Sequence, residues 1–359
     1  MDISIFTATG HHNLGDELIL LKEYEVFKEN YKNANFNIFT YDKESSLIKD
    51  KVNYIQYFPT GMFAHPFKNI GYLIKNIIVI MKSDIVIIGG GGLIYENEFQ
   101  SAHFPIMQWL FRIILSKIFA KRIIYFAVGI NIKKPGFFKR FLFSGKKVLI
   151  SVRDKESSET LNRLGIRNIV INDPVFLLKP EKREKNDGKT IGISLRKGYL
   201  KNEEENIKQM ILFLSKKGYR IVFLSHSIHQ KDALANDYVF LKDISKKYGI
   251  EMTSDIRKTL DMYKKLDFVI GMRFHSLILS LVYNIPFLAL SYSQKTDELL
   301  KEFKYDHKMD PKRFEFEKFI KMFEHIEENE SLFDFKENIH IIEKEFKNNI
   351  SNFLKNGLE

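Results

Sequence analysis

The chain alternates short apolar segments with segments of helical periodicity, and this alternation limits the folds open to it. In the first half, apolar segments of strand length cover residues 3–6, 37–39, 85–88, 123–126, 148–152 and 169–171. Helical patterns fill the gaps at residues 16–31, 66–82, 105–121 and 157–164. Because parallel strands need crossover connections, we predict a doubly wound parallel sheet here.

Residues 173–188 interrupt the alternation with proline and charge, which predicts a linker. The pattern then restarts, with strands predicted at 190–195, 220–224, 268–271 and 287–290 and with helices between them. We therefore predict an α/β protein with two Rossmann-like domains, residues 1–172 and 189–310, whose parallel sheets face a central cleft. Residues 311–359 are charged and helical, and we expect terminal helices there that can cross back to the first domain.

Composition and terminal sequence exclude several classes of protein. The 359 residues include no Cys, which removes disulfides, thiolate nucleophiles and Cys-based metal sites. The start lacks a signal-peptide pattern, and no stretch reaches the roughly 18 uncharged apolar residues of a membrane span. We expect a cytoplasmic protein.

The formal net charge of +11 is unevenly distributed. Residues 99–153 hold eleven Lys and Arg but no Asp or Glu. The predicted helix at 105–120 has a polar stripe of Gln108, Arg112 and Ser116, and residues 136–147 interleave aromatic and cationic side chains. Such a region suits an anionic membrane surface, where each Lys or Arg contributes about 1 kcal/mol. The lysines can equally be the solvated side of helices that cover a sheet. Nucleic acid is the third candidate partner of this region, and we rank it last because no recognition module is visible.

One segment places an arginine and a histidine where a predicted strand gives way to a helix. Gly-Met-Arg-Phe-His-Ser at residues 271–276 follows an apolar strand, and open α/β sheets bind ligands outside the carboxyl ends of their strands. Arg273 offers a charged fork for a carboxylate or phosphate, and His275 can exchange a proton near neutral pH. The structural alternative is that Arg273 pairs with a carboxylate and that His275 caps the helix.

Further cations follow other predicted strands. Arg153 comes after the strand at 148–152, Arg196 after Ser194 at the end of the strand at 190–195, and Lys295 lies downstream of the strand at 287–290. Each arginine alone can serve a structural ion pair, such as Arg153 with Asp154 or Glu156. Together with Arg273, they favour a shared site for a small ligand with more than one negative group.

Two turns in the first half can approach a ligand. In the loop at residues 10–17, Asp16 can accept the proton of a hydroxyl group, or it can be an acid that the helix dipole favours. The four glycines at 89–92 let a ligand approach the backbone closely, or they are required only because the turn leaves no room for side chains. They match neither the dinucleotide fingerprint nor the P-loop, and His11-His12 lacks a third ligand for a metal.

Taken in order, these segments resemble the polysaccharide pyruvyl transferase family. The resemblance rests on the loop at 10–17, G-G-G-G-L-I at 89–94, S-V-R-D at 151–154, D-P at 173–174, G-I-S-L-R at 192–196, and the R-x-H pair followed by Pro286 and Lys295. It spans roughly residues 3–300, and the ordered set is far more specific than any one of its members.

The resemblance implies a fold similar to GT-B glycosyltransferases, with an acceptor-binding first domain and a donor-binding second domain. It implies an enzyme that transfers the enolpyruvyl group of phosphoenolpyruvate to a sugar of a cell-surface polysaccharide, such as a capsule or exopolysaccharide, and forms a pyruvyl ketal with release of phosphate. Arg273, His275 and Asp16 become the catalytic residues. The donor set is Arg153, Ser194, Arg196, Arg273 and Lys295, and the acceptor set is His12, Asn13, Asp16, Gly91 and Gly92.

We expect no metal and no cofactor, because several arginines can bind phosphoenolpyruvate and His275 can supply a proton. The resemblance further implies a repeat unit linked to polyprenyl diphosphate, and therefore a peripheral place at the inner face of the cell membrane. The rival enzyme class is a GT-B glycosyltransferase, in which the same arginines hold the diphosphate of a nucleotide sugar. A lectin-like binder is the third class, and it leaves the clustered arginines unexplained.

Overall fold

The computed structural model describes residues 1–59, 66–95, 105–132, 137–184, 189–230, 232–329 and 333–356. The chain divides into two compact units. Met1–Gly10, Asp16–Pro174 and Lys344–Glu359 form the first unit, and His11–Gly15 and Val175–Glu343 form the second. The short loop His11–Gly15 therefore groups with the second half of the chain. Residues 185–188 of the predicted linker lie outside the described residues.

The first unit is built on a parallel sheet. Its strands are β1 (Asp2–Phe6), β2 (Asn35–Thr40), β3 (Asn53–Gln56), β4 (Ile85–Ile88), β5 (Gly91–Tyr95), β6 (Arg122–Asn131), β7 (Val148–Val152) and β8 (Ile169–Val170). Their order is β3-β2-β1-β4-β6-β7-β8, and β5 pairs with β6. The connecting helices are α1 (Leu14–Asn30), α2 (Pro66–Lys82), α3 (Pro105–Phe119), α4 (Phe137–Phe143) and α5 (Lys155–Arg163). All four residues of β4 are Ile or Val and are buried, as expected for a strand that is covered on both faces.

The second unit repeats this architecture. Its strands are β9 (Thr190–Ser194), β10 (Arg220–Phe223), β11 (Glu251–Met252), β12 (Phe268–Gly271), β13 (Phe287–Leu290) and β14 (Lys308–Met309), in the order β11-β10-β9-β12-β13-β14. Its helices are α6 (Glu203–Lys216), α7 (Asp237–Tyr248), α8 (Ile256–Met262), α9 (Phe274–Val282), α10 (Gln294–Glu302), α11 (Phe316–Glu328) and the first part of α12 (Lys336–Asn356). From Lys344 onward, α12 groups with the first unit.

In both sheets, the order of the strands reverses next to the first strand. β1 lies between β2 and β4, and β9 lies between β10 and β12, with every strand pair parallel. Such a reversal is the topological switch point at which doubly wound sheets bind ligands. The predicted α/β class with two parallel, Rossmann-like sheets is confirmed, and each switch point locates a candidate site within its own unit.

One expectation for the first unit is wrong. The predicted polar stripe of α3 includes Arg112, but this side chain is buried. Its guanidinium lies 3.9 Å from the ring centroid of Tyr57, and Nη2 donates to the hydroxyl of Tyr41 at 2.6 Å. An aromatic cluster can hold a buried guanidinium by cation–π attraction, so Arg112 belongs to the interior. The side chain of Gln108 lies outside the described residues.

No helix in the described part of the chain is long and apolar enough to cross a membrane.

Candidate active site

Arg273 lies at the switch point of the second sheet. It directly precedes α9 and comes two residues after the end of β12, next to β9. Its Nε donates to the two carboxylate oxygens of Asp237 at 3.2 and 3.1 Å, and Nη2 donates to the same carboxylate. Among the described residues, Nη1 has no partner. Asp237 therefore fixes the plane of the Arg273 guanidinium and leaves one of its nitrogens for a ligand.

Asp237 is itself held in place inside the second unit. Its carboxylate accepts the N–H of Ser227 at 3.0 Å, and its own N–H donates to the carbonyl of Ser227 at 2.7 Å. Burial raises the pKa of Asp237, while Arg273 and the Ser227 N–H act in the opposite direction. The structural alternative for Arg273, pairing with a carboxylate, is thus present, and it uses only part of the guanidinium.

His275 lies in the first turn of α9 and packs against Gly15. A Cβ built on Gly15 would lie 1.9 Å from Nδ1 of His275, so the glycine lets the backbone approach the imidazole face. The residue that caps α9 is Arg273, through its backbone alone. His275 therefore does not serve as the helix cap that the structural alternative required.

The loop His11–Gly15 is anchored to the segment after β10. The N–H of Leu14 donates to the carbonyl of His226 at 2.8 Å, and the N–H of Ile228 donates to the carbonyl of His12 at 2.9 Å. Asn13 forms an isolated antiparallel bridge with Ser227, and its side-chain oxygen accepts the N–H of Gly15 at 3.0 Å. These contacts hold Gly15 at the ring of His275.

Arg196 follows β9, the strand next to β12. Its guanidinium lies 4.8 Å from the ring centroid of Tyr199 and 5.7 Å from that of Tyr292, and Nη1 donates to the Tyr292 hydroxyl at 3.2 Å. Its Nε is buried without a partner among the described residues. The hydroxyl of Ser194 is likewise buried without a described partner. Unsatisfied buried polar atoms are costly, so both atoms are candidates for a hydrogen bond to a polar ligand or to water.

Lys295 and His226 complete the surroundings of this site. The exposed Lys295 places its Nζ 5.0 Å from the ring centroid of Phe274, the residue between Arg273 and His275. His226 is buried, and its Nε2 lies 2.9 Å from the Tyr263 hydroxyl. Burial, followed by the charges of Arg273 and His275, lowers the pKa of His226 well below its usual range. His226 is therefore neutral at pH 7 and leaves the positive charge to the other residues.

The switch point of the first sheet holds the four glycines and the remaining predicted residues. Cβ atoms at Gly91 and Gly92 would lie 3.6 Å from Oδ1 of Asp16 and 3.7 Å from Nη2 of Arg153. Arg153 is ion-paired, with Nε 3.4 Å from Asp154 and Nη1 3.7 Å from Asp173. Its predicted contact with a donor stays a prediction, and so does the acceptor role of Asp16.

The first two glycines of this turn have a steric explanation. A Cβ at Gly89 would lie 2.1 Å from Oε2 of Glu23, and the N–H of Gly90 donates to Oε1 of the same carboxyl group. Glu23 is fully buried, and burial raises its pKa well above the usual range. The carboxyl group of Glu23 in α1 therefore occupies the space that side chains at these two positions would need.

The predicted residues thus fall into two groups. The second unit brings together Arg273, His275, Arg196, Ser194, Lys295, His12 and Asn13, and the first unit holds Asp16, Gly91, Gly92 and Arg153. Sequence reasoning missed Asp237, Tyr199, Tyr292, His226 and Glu23. Only Tyr292 carried a local signal, because it stands in the segment that leads to Lys295. No group of three or more His, Cys, Asp or Glu in the described ranges is placed to hold a metal ion.

The fold is similar to that of solved epimerases and glycosyltransferases with a GT-B-like architecture. UDP-GlcNAc 2-epimerase from Neisseria meningitidis, solved with UDP-GlcNAc, is 14% identical, and the alignment covers 93% of each chain with a TM-score of 0.57. A glycosyltransferase from Rickettsia africae is 14% identical, with 100% of this chain and 98% of that chain covered and a TM-score of 0.56. UDP-GlcNAc 2-epimerase from Methanocaldococcus jannaschii is 14% identical, with 90% and 92% covered and a TM-score of 0.54. At such identities the likeness shows a GT-B-like fold alone.

Sequence comparison identifies the family. Polysaccharide pyruvyl transferase matches residues 13–294, which include the four glycines at 89–92, Arg153, Arg196 and the Arg273-x-His275 pair, but neither β1 nor Lys295. The chain belongs to the polysaccharide pyruvyl transferase family and is a transferase enzyme of polysaccharide biosynthesis. A search of curated proteins gives no match.

Proposed function

We propose that this enzyme transfers the enolpyruvyl group of phosphoenolpyruvate to a sugar of a cell-surface polysaccharide repeat unit, forming a pyruvyl ketal and releasing phosphate. Family membership supports pyruvyl transfer in polysaccharide synthesis. The observation that supports the donor most directly is the placement of Arg196, Arg273 and His275 at the ends of adjacent strands β9 and β12.

Phosphoenolpyruvate carries a carboxylate and a phosphate, and the second unit offers cations for both. Arg273 is oriented by Asp237 and keeps Nη1 for an anion, and Arg196 keeps a buried Nε. Guanidinium groups bind planar carboxylate and phosphate oxygens strongly and with defined geometry. The hydroxyl of Ser194 and the ammonium of Lys295 complete the proposed donor site.

The proposed reaction balances with side chains alone. The imidazolium of His275 donates a proton to the methylene carbon of phosphoenolpyruvate, and a first sugar hydroxyl adds to the adjacent carbon as Asp16 accepts its proton. The carbon–oxygen bond to phosphate then breaks and leaves an oxocarbenium ion, a second sugar hydroxyl adds to that carbon, and phosphate leaves with the second proton. Arg196 and Arg273 stabilise the negative charge of the leaving group. His275 then takes up a proton from solvent, and Asp16 releases to solvent the proton that it accepted.

We assign the acceptor to the switch point of the first sheet. Asp16 and the backbone of Gly91 and Gly92 line the switch point there, and His12 and Asn13 stand in the preceding loop. A glycine turn lets a sugar approach backbone N–H and C=O groups. A polyprenyl diphosphate-linked saccharide is the acceptor that we propose to test first.

Ligand-dependent unfolding tests the donor. A ligand at 100 times its Kd stabilises the folded state by about 2.7 kcal/mol, so phosphoenolpyruvate should raise the unfolding temperature and UDP-sugars should not. Stabilisation by a nucleotide sugar alone supports the rival glycosyltransferase, and stabilisation by a saccharide alone supports a lectin-like binder. Either result contradicts the proposal.

A matched pair of variants tests the catalytic residue. His275→Gln should lower phosphate release from phosphoenolpyruvate by about 100-fold or more while the unfolding temperature stays close to that of the wild type. His340→Gln, at an exposed position of α12, is the control and should change neither. Wild-type turnover by a folded His275→Gln protein would exclude the proposed proton transfer.

A further inference from the structure

The outward face of α2 carries a continuous apolar stripe. Phe67, Ile70, Ile74, Ile78 and Met81 are between 44% and 87% exposed, and they recur at intervals of three and four residues, so they follow one side of the helix. The opposite side of α2 already packs on the core of the first unit. A helix needs only one apolar face to dock on its own fold, so the second face is available to a partner.

A row of lysines borders this stripe. Lys68, Lys75 and Lys82 recur every seven residues, which places them together along one edge of the exposed face. No Asp or Glu occurs between residues 51 and 83. In the described ranges, none of the three lysines has a carboxylate within ion-pairing distance. The surface therefore combines exposed apolar groups with uncompensated positive charge.

We propose that α2 docks the protein on an anionic lipid surface. In this arrangement, the helix lies in the plane of the interface, the stripe enters the boundary between headgroups and acyl chains, and the lysines contact lipid phosphates. Amphipathic helices that bind membranes in this way pair an apolar face with Lys or Arg, because burial and attraction to anionic lipids add to each other.

Charge favours a lipid surface over a second copy of this chain. A two-fold interface centred on α2 brings the same patch of both copies together, so each lysine row would face another lysine row without a carboxylate between them. A nucleic acid would satisfy the lysines but would leave five large apolar side chains in water. An anionic membrane satisfies both parts of the surface.

The docking surface differs from the one that the sequence indicated. The described part of α4 buries Leu142 and Phe143, and Lys117 places its Nζ 4.4 Å from the ring centroid of Phe141 while bonding to the carbonyl of that residue. Leu142 and Phe143 therefore serve the packing of the first unit, whereas Phe141 is 45% exposed, and docking through residues 136–147 stays a prediction. The side chains of Phe137, Phe138 and Lys139 lie outside the described residues. The proposal for α2 does not depend on the reaction that the protein catalyses.

Vesicle sedimentation tests the proposal without an activity assay. The full-length protein is mixed with vesicles of phosphatidylcholine alone or of phosphatidylcholine with phosphatidylglycerol, and the bound fraction is measured at low and high salt. We expect binding to the anionic vesicles that weakens as salt screens the lysines. Two variants separate the contributions: Ile74→Ser/Ile78→Ser for the stripe and Lys68→Gln/Lys75→Gln/Lys82→Gln for the lysine row.

Each α2 variant should lower the partition coefficient by about tenfold or more. Matched controls in the second unit should leave it unchanged: Leu212→Ser, which removes an apolar side chain of similar exposure from α6, and the exposed lysine triple Lys242→Gln/Lys246→Gln/Lys318→Gln. A Phe67→Trp protein should show quenching by brominated lipids, whereas Leu212→Trp should not.

Three results would overturn the proposal. The first is equal binding to neutral and anionic vesicles, or none to either. The second is loss of binding in the lysine variant but not in the stripe variant, which would mean adsorption of a basic protein without insertion. The third is a wild-type dimer in solution that Ile74→Ser/Ile78→Ser dissociates, with no binding to vesicles, because a second copy would then cover the stripe.

Discussion

Replacing Gly15 with alanine tests the packing that positions His275. The new Cβ would lie 1.9 Å from Nδ1 of the imidazole and 2.5 Å from both Cγ and Cε1. Atoms of this kind sit at about 3.5 Å in ordinary contact. Either the ring or the loop His11–Gly15 must therefore move by roughly 1.5 Å.

The displacement affects catalysis more than folding. A shift of about 1 Å from the productive geometry can cost about 100-fold in rate, so we expect kcat/KM to fall by at least that factor, about 2.7 kcal/mol. Overpacking costs about 1–3 kcal/mol of stability, and alanine stabilises a helical position by about 1 kcal/mol relative to glycine. The net destabilisation should therefore be about 0–2 kcal/mol.

Phosphate release from phosphoenolpyruvate in the presence of a saccharide acceptor measures kcat/KM, and urea unfolding measures the free energy of unfolding. Gly71→Ala in α2 is the control, because nothing lies within 4 Å of its Cβ position. It should stabilise the protein by up to about 1 kcal/mol without changing turnover. Wild-type kcat/KM in a folded Gly15→Ala protein would refute the argument that the position of His275 matters for catalysis.

Three further substitutions test individual interactions. Asp237→Asn removes the charge that orients Arg273 and should raise KM for phosphoenolpyruvate about tenfold with a smaller effect on kcat. Asp243→Asn, exposed on the same helix, should change neither, and a similar effect of both would rule out a specific role for Asp237. The raised pKa of Glu23 means that the folded state keeps a proton that the unfolded state releases above about pH 4.5, so stability falls as pH rises. Glu23→Gln should reduce that slope above about pH 4.5 by up to about 1.4 kcal/mol per pH unit, and an unchanged slope in urea unfolding would contradict the assignment. Burial alone would raise the pKa of Glu327, but hydrogen bonds from two lysines and a tyrosine lower it to about 2. The ionised Glu327 therefore stabilises the folded state above about pH 4.5, and this contribution is lost as pH falls towards 2. Glu327→Gln should cost about 1–2 kcal/mol at pH 7, since water screens part of the interaction, and should cost nothing near pH 2; an equal loss at both pH values would show that charge is not responsible.

The positions of the candidate residues along the fold were predictable from local pattern. Three apolar residues before Gly271 indicate β12, and the apolar run after Ser276 indicates a buried helix, so Arg273 and His275 had to emerge at a strand end. The weaker strands β3, β5, β11 and β14 were missed. β11 and β14 have two residues each, and β5 begins with two glycines, which no periodicity detects.

The partners of these residues were not predictable, because they depend on tertiary contacts. Asp237 lies 36 residues before Arg273 and belongs to no motif. Gly15 is separated from His275 by most of the chain, so a single sequence does not reveal that they touch. Arg112 occurs in a helical polar stripe that usually faces water, but aromatic rings cover it here. The apolar stripe of α2 was hidden for a related reason: both faces of the helix are apolar, and only the fold shows which one is exposed.

The most direct test of the central claim follows both products of a single reaction. The purified protein is incubated with phosphoenolpyruvate and a polyprenyl diphosphate-linked saccharide, and the release of inorganic phosphate is compared with the mass of the saccharide. We expect one phosphate per modified sugar and a mass gain equal to phosphoenolpyruvate minus phosphoric acid, with two hydroxyl groups lost to a ketal. A sugar modified only when a nucleotide sugar is supplied, with no phosphate released from phosphoenolpyruvate, would contradict it.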